Sequence, residues 1–127
     1  MKTIVRTPDA PASPLYSQAV KAGPFLFVSG MTGLDVSTGQ LAGTPIQEQT
    51  SQAVRNCLAI VEAGGSQSDI VSVTVLLTHP EDFAGMNEAY AAFFTSEPPA
   101  RAVTKLGVAV PNVLVSIMMT AYVESAS

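Results

Sequence analysis

Arg101 is the residue of this chain best placed to do chemistry. It stands in Pro98-Pro99-Ala100-Arg101-Ala102-Val103, a stiff loop feeding an apolar run, with no acidic residue within three positions. A guanidinium among apolar neighbours presents a planar fork of donors and stays charged, so it would grip a carboxylate and orient the adjoining carbon for attack by water. A buried or interfacial ion pair, or a surface arginine lying along apolar neighbours, fits the same spacing. Tyr16 follows Pro11, Ser13 and Pro14 at the entrance to a β-like run, where its hydroxyl could orient a ligand or its ring could simply pack. Ser29-Gly30-Met31 closes a second run, and Gly30 either admits a ligand or neighbouring backbone or marks a bulge. Asn87 lies beside an apolar helical stripe and reaches either for a ligand or for solvent and backbone.

Other chemistries lack their parts. His79 is the single histidine and precedes Pro80; a metal role lacks ligands, a Ser/His pair has no spacing to support it, and it reads as a loop residue. Cys57 is the single cysteine; it cannot form an internal disulfide, suits a reducing compartment, and falls on the apolar side of a helix as a small hydrophobe. Glu81 and Asp82 read as helix-start charges, and Gly30-Met31-Thr32-Gly33 has no following lysine to make a phosphate loop. Six cationic against ten acidic residues give a formal charge of −4, which leaves no basic face for nucleic acid. The N-terminal stretch carries no signal-like apolar core, and no run reaches about 18 apolar residues. A soluble, cytoplasmic protein is expected, with no membrane or nucleic-acid partner.

The elements that must position Arg101 fit one domain, residues 1–127, 47% apolar and only 13% charged. So few charges predict self-association. Tyr16–Val20 and Phe25–Ser29 flank Gly23-Pro24 and predict a hairpin, followed by a loop over Gly33–Gln40. Thr44-Pro45-Ile46-Gln47 predicts a helix start with Thr44 as N-cap, Pro45 in the first helical position and Gln47 completing a capping box. Ala53, Val54, Cys57, Leu58 and Val61 form the buried stripe, and Gly64-Gly65 predicts a left-handed end. Val71–Leu77 alternates as a strand. A second helix opens at Pro80, with Phe83, Met86, Tyr90 and Phe93 or Phe94 as its stripe, and ends before Pro98. Ala100–Val108 and Val113–Val123 complete the strands. The last is apolar at nearly every position, so cover on both faces is expected. Two helices can cover one face; sheets of several subunits are expected to cover the other.

Several segments carry a more specific resemblance. Tyr16-Ser17-Gln18-Ala19, Phe27-Val28-Ser29-Gly30, Ser37-Thr38-Gly39-Gln40-Leu41, Ala59 to Gly65, Asp82-Phe83, Met86-Asn87, Ala89-Tyr90, Phe93-Phe94 and Pro99-Ala100-Arg101-Ala102 together resemble the RidA/YjgF family of reactive intermediate deaminases. The resemblance runs from Ala12 to Val123. It implies an α+β, chorismate-mutase-like fold assembled as a homotrimer with a barrel-like core and sites in the clefts between subunits. It implies hydrolysis of enamines and imines, typically 2-imino acids, to 2-oxo acids and ammonia, with no metal or organic cofactor. Arg101 takes the carboxylate-binding position and Tyr16 the site tyrosine, both assigned to catalysis; Gly30, Met31, Asn87, Val103 and Met118 join them as substrate-binding positions. Val103 stands where the family often has cysteine and offers only backbone. The family's last strand commonly carries two glutamates, the second positioning the attacking water, but this chain has Ser116 and Met118 there, and no acidic residue between Glu97 and Glu124. A thioether cannot hold a water as a carboxylate does. Three readings follow: a deaminase acting on 2-imino acids or an aminomuconate-like enamine; a non-catalytic trimer that binds small carboxylates and modulates a partner enzyme; and a ribonuclease, which the charge and the lone histidine oppose.

Overall fold

The structure is a computed structural model that describes residues 1–65 and 68–124. Its strands are β1 (Thr3–Val5), β2 (Ala19–Ala22), β3 (Phe25–Thr32), β4 (Leu34–Asp35), β5 (Gln40–Leu41), β6 (Ser68–Leu77), β7 (Ala100–Lys105) and β8 (Val115–Val123). Helices α1 (Ile46–Gly64) and α2 (Phe83–Ala91) interrupt them, α2 being preceded by a 3-10 turn over Pro80–Asp82. Six strands form one sheet in the order β1-β2-β3-β8-β6-β7, and β4 and β5 pair separately. All pairs in the sheet are antiparallel except β6 with β7. A parallel pair needs a crossover, and α2 is that crossover. The fold is therefore α+β, with one mixed sheet and both helices on one side.

Strand alternation decides which side. In β8, Val115, Ile117, Met119, Ala121 and Val123 are buried, and they join Leu26, Val28, Val73, Val75 and Leu77 under α1. Ile46, Ala53, Val54, Cys57, Ile60 and Val61 supply the helical half of this core, and Met86 and Tyr90 add α2 to it. Each fully buried aliphatic side chain contributes about 2–3 kcal/mol of apolar transfer. The opposite face carries Phe25, Phe27, Met118 and Tyr122, all more than a third exposed in the single chain.

The local expectations hold in type and shift in detail. The hairpin forms around Gly23, whose φ of 59° needs glycine, but its first strand starts at Ala19 because Ser13 to Tyr16 make a separate turn. The loop after β3 contains the short β4/β5 hairpin, closed by Asp35: its Oδ1 accepts from the Ser37 amide at 2.9 Å and the Ser37 hydroxyl at 2.6 Å. These two hydrogen bonds hold the Asp35 carboxyl below its ordinary pKa. The capping box at Thr44 is not made. Pro45 has an extended ψ of 145° and is itself the N-cap, without a side-chain cap bond, which moves the helix start one residue on to Ile46. The left-handed end is not made either, since Gly65 is extended at φ 168° and its amide continues the helical ladder to Val61 O at 3.0 Å. Gly33 is required for proximity: a Cβ there would come within 2.6 Å of the Gln49 carbonyl oxygen, so α1 could not cross the end of β3 so closely. The second helix is shorter than expected, with Phe83 exposed and only Met86, Ala89 and Tyr90 buried. β7 stops at Lys105 and β8 starts at Val115, while β1 was not anticipated.

Three buried amides tie the loops to this frame. Gln18 Nε2 donates to the carbonyls of Thr7, Ala10 and Pro11, and its Oε1 accepts from the Thr7 amide. Gln49 Nε2 donates to Gly43 and Asn112 carbonyls, and its Oε1 accepts from Leu114 N. Asn56 Nδ2 donates to the carbonyls of Thr32 and Leu34. Each amide is buried and satisfied, by backbone except at Asn56 Oδ1, which accepts from Gln52 Nε2 at 2.9 Å, the condition under which a buried polar group does not destabilise.

Candidate active site

β7 is one edge of the sheet, and its register fixes where Arg101 points. Arg101 pairs with Val73, Val103 with Val75 and Lys105 with Leu77, and those β6 residues all face the helices. Arg101 therefore rises on the helix side, under the crossover α2. Its Nη1 donates to Asn87 Oδ1 at 2.7 Å. The guanidinium carbon sits 4.9 Å from the centroid of the Tyr90 ring and 6.0 Å from that of Phe83. A cation over an aromatic face is attracted by the ring quadrupole, so the two rings and the amide together aim the fork. Among the described residues Arg101 has no carboxylate within ion-pair distance, and the one contact of that kind is between the His79 imidazole and Glu81 at 3.9 Å. Within the chain no described carboxylate pairs with Arg101, and its remaining donors are free of an acidic partner among the described residues.

Tyr90 is 6% exposed and its hydroxyl lies buried without a hydrogen-bond partner among the described residues. Burial pushes the phenol's pKa up, and the Arg101 charge pulls it partly back. Tyr90 and Phe83 are the residues that reading the chain as a pattern assigned only to a core stripe; the structure makes them the platform for the guanidinium. Beside them, Leu77, Pro80, Phe83 and Val103 line a mostly apolar cavity of about 440 Å³ that opens along β7.

The remaining expected residues lie elsewhere. Gly30 sits in the β-bulge between Val28 and Met31, where a Cβ would come 3.0 Å from the Ser116 hydroxyl on β8. Met118 is 45% exposed on the face opposite to Arg101, paired with Thr74. Tyr16 borders an open cavity of about 630 Å³ with Arg6, Pro14 and Leu15. It is linked to the bulge through Ser29, whose hydroxyl donates to Ser17 O at 2.6 Å. The bulge rotates Met31 inward, so its side chain is 1% exposed and belongs to the helix-side core rather than to a ligand pocket. Arg101, Asn87 and Val103 thus form one group, and Tyr16, Gly30 and Met118 lie apart from it, with Met118 on the other face of the same sheet. His79 is an exposed loop residue. The Cys57 thiol donates to Ile117 O at 3.2 Å, and burial pushes its pKa up to about 12, so it is inert as a nucleophile.

Fold and site together define a small α+β protein with an arginine held by an amide and two aromatic rings at the edge of its sheet. The family described as Endoribonuclease L-PSP matches residues 7–123, and the chain belongs to that family, the RidA/YjgF proteins. It is similar to a RutC family protein of Pyrococcus horikoshii, at 42% identity over 98% of this chain and 100% of the relative. It is also similar to the 2-iminobutanoate/2-iminopropanoate deaminase of Dermatophagoides farinae, at 36% identity over 97% of this chain and 98% of the relative. Among solved structures, RidA from an Antarctic Psychrobacter superposes with a TM-score of 0.87 at 35% identity, covering 95% of this chain and 99% of that one. No helix of the described residues is long and apolar enough to cross a membrane.

Proposed function

We propose that the chain assembles as a homotrimer and hydrolyses imines or enamines derived from amino acids, the substrate carboxylate docking on Arg101. The observation that carries this reading is the guanidinium itself, oriented by Asn87 at 2.7 Å and by two aromatic faces, yet without a carboxylate partner among the described residues. The deaminase names of similar proteins support the reaction class.

The split of the candidate residues supports the assembly. Arg101 and Met118 are on opposite faces of one sheet, so a pocket containing both is completed when the open face of a second copy meets the β7 edge of the first. The exposed Phe25, Phe27 and Tyr122 give that face the apolar surface such an interface needs.

In this reaction the guanidinium holds the carboxylate and fixes C2 of the imine. Water adds to C2 to give a carbinolamine, proton transfer to nitrogen follows, and the C–N bond breaks with the electron pair leaving on ammonia. The products are a 2-oxo acid and ammonia. An enamine first takes a proton on carbon to become the imine. Because Met118 cannot hold it, the water is held by backbone groups or by the substrate itself. The loss of an acid at Met118 also favours a second reading, a binding module that holds small carboxylates without turnover.

Generating imines in situ with an amino-acid oxidase separates the two. The deaminase speeds release of 2-oxo acid, and Arg101→Ala returns the rate to the spontaneous one. Wild-type protein that binds 2-oxo acids but accelerates none of the aliphatic, aromatic or muconate-type imines is a binding module. In a Met118→Glu variant, a large gain on small imines assigns the native pocket to a different substrate.

A further inference from the structure

The geometry points to Lys105 as a second anion anchor that makes the Arg101 cleft selective for substrates bearing a second carboxylate. This inference rests on the reading of Arg101 as the carboxylate site and deepens it. Lys105 is four residues beyond Arg101 on the same strand, and the pairing of Arg101, Val103 and Lys105 with Val73, Val75 and Leu77 puts all three on the helix side. Their backbones are about 13 Å apart at strand rise, a gap that two long side chains close from either end across Val103. Lys105 lines the cavity of about 440 Å³ together with Val103 and Phe83, and Arg101 stands beside it, its guanidinium carbon 6.0 Å from the Phe83 ring centroid.

The charge of the region agrees. No Asp or Glu occurs between Glu97 and Glu124, so β7 and β8 contribute two cations and no acid. Among the described residues neither cation has a carboxylate within ion-pair distance. A mostly apolar cavity with Lys105 in its wall, no acidic side chain in its lining and Arg101 over its Phe83 fits a short carbon chain with a carboxylate at each end. An amino acid with an acidic side chain yields such an imine. A substrate with a neutral tail leaves the ammonium without its partner.

The test is calorimetric titration with two product-like acids of equal chain length, 2-oxoglutarate and 2-oxopentanoate. The wild-type protein is expected to bind the dicarboxylate about tenfold more tightly, the effect of one charge-assisted contact. Lys105→Met brings the ratio to about one, Lys105→Arg retains it, and Lys105→Glu inverts it. Equal affinities in the wild type, or a preference that survives Lys105→Met, overturn the inference. In those cases loss of both ligands in Arg101→Ala shows that the carboxylate site still stands. If neither acid binds the wild type, or if Arg101→Ala binds both unchanged, the reading of Arg101 falls first and the role of Lys105 falls with it.

Discussion

Neighbouring residues of β8 live in different surroundings. Ile117 is fully buried under α1, where the Cys57 thiol reaches its carbonyl, while Met118 next to it is 45% exposed on the other face. The covered face is finished within one chain: aliphatic side chains interlock, and three amides satisfy the loops around them. The open face has the composition of a core without its cover, with Phe25, Phe27, Met118 and Tyr122 exposed together. Contiguous exposed apolar patches often mark association sites, and this face is the one the proposed assembly would cover. One sheet thus serves stability on one side and, in the proposed assembly, active-site construction on the other.

The sharpest way to break this comparison is Phe27→Asp. In an assembly the carboxylate is left buried and unpaired, at a cost of about 3–5 kcal/mol per interface, and the protein is expected to elute as a folded monomer without imine hydrolysis. Light scattering coupled to gel filtration reads the mass. A wild type that is already monomeric, or a Phe27→Asp variant that remains assembled, removes the proposed role of the open face. Next in size, Ile117→Ala is expected to lose about 2–5 kcal/mol in urea unfolding, whereas Met118→Ala in the Phe27→Asp background loses less than about 1 kcal/mol. Comparable losses for these adjacent residues would mean that the two faces are not distinct. Gln49→Leu tests the polar side of the covered face. It leaves the carbonyls of Gly43 and Asn112 and the amide of Leu114 without their partner, for a loss of about 2–3 kcal/mol.

Much of the covered face was legible in the sequence, because period-two strands and the spacing of Ala53, Val54, Cys57 and Val61 are local signals that packing reinforced. Arg101 was legible by contrast, as a lone cation in an apolar setting. Its neighbours were less so. Asn87 was a candidate from its place beside the stripe, but its pairing with Arg101 is made by the crossover that brings α2 over β7, which no local spacing encodes. Phe83 and Tyr90 show that helical periodicity cannot separate a core ring from one that supports a cation. Gln49 and Asn56 left a usable trace: they are seven apart and in phase with Ala53 and Ile60, so amides on the buried stripe foretold buried hydrogen bonds. The N-cap failed by one residue because the proline supplied the extended dihedral itself. Met31 entered only through the resemblance, and the bulge that turns its side chain into the core has no local trace in the sequence beyond Gly30.

The smallest effect concerns the proton on Cys57. On the covered face the thiol is held neutral, its pKa pushed up to about 12 by burial, while in the unfolded chain it ionises near the ordinary value of 9.0. Below pH 9 both states keep the proton, and the thiol has no influence on the pH dependence of stability. Above it the unfolded chain sheds the proton and the folded one does not, so unfolding becomes easier as pH rises, by about 1.4 kcal/mol per pH unit until the folded thiol also titrates. The Tyr90 phenol, raised in the same sense, adds a slope of the same sign. Urea midpoints between pH 8 and 11 are therefore expected to fall more steeply in the wild type than in Cys57→Ala, the difference amounting to one proton. The slopes decide this, since the alanine also leaves a small cavity that lowers stability at every pH. Identical slopes would place the thiol in water, and with it the sheet-facing side of α1.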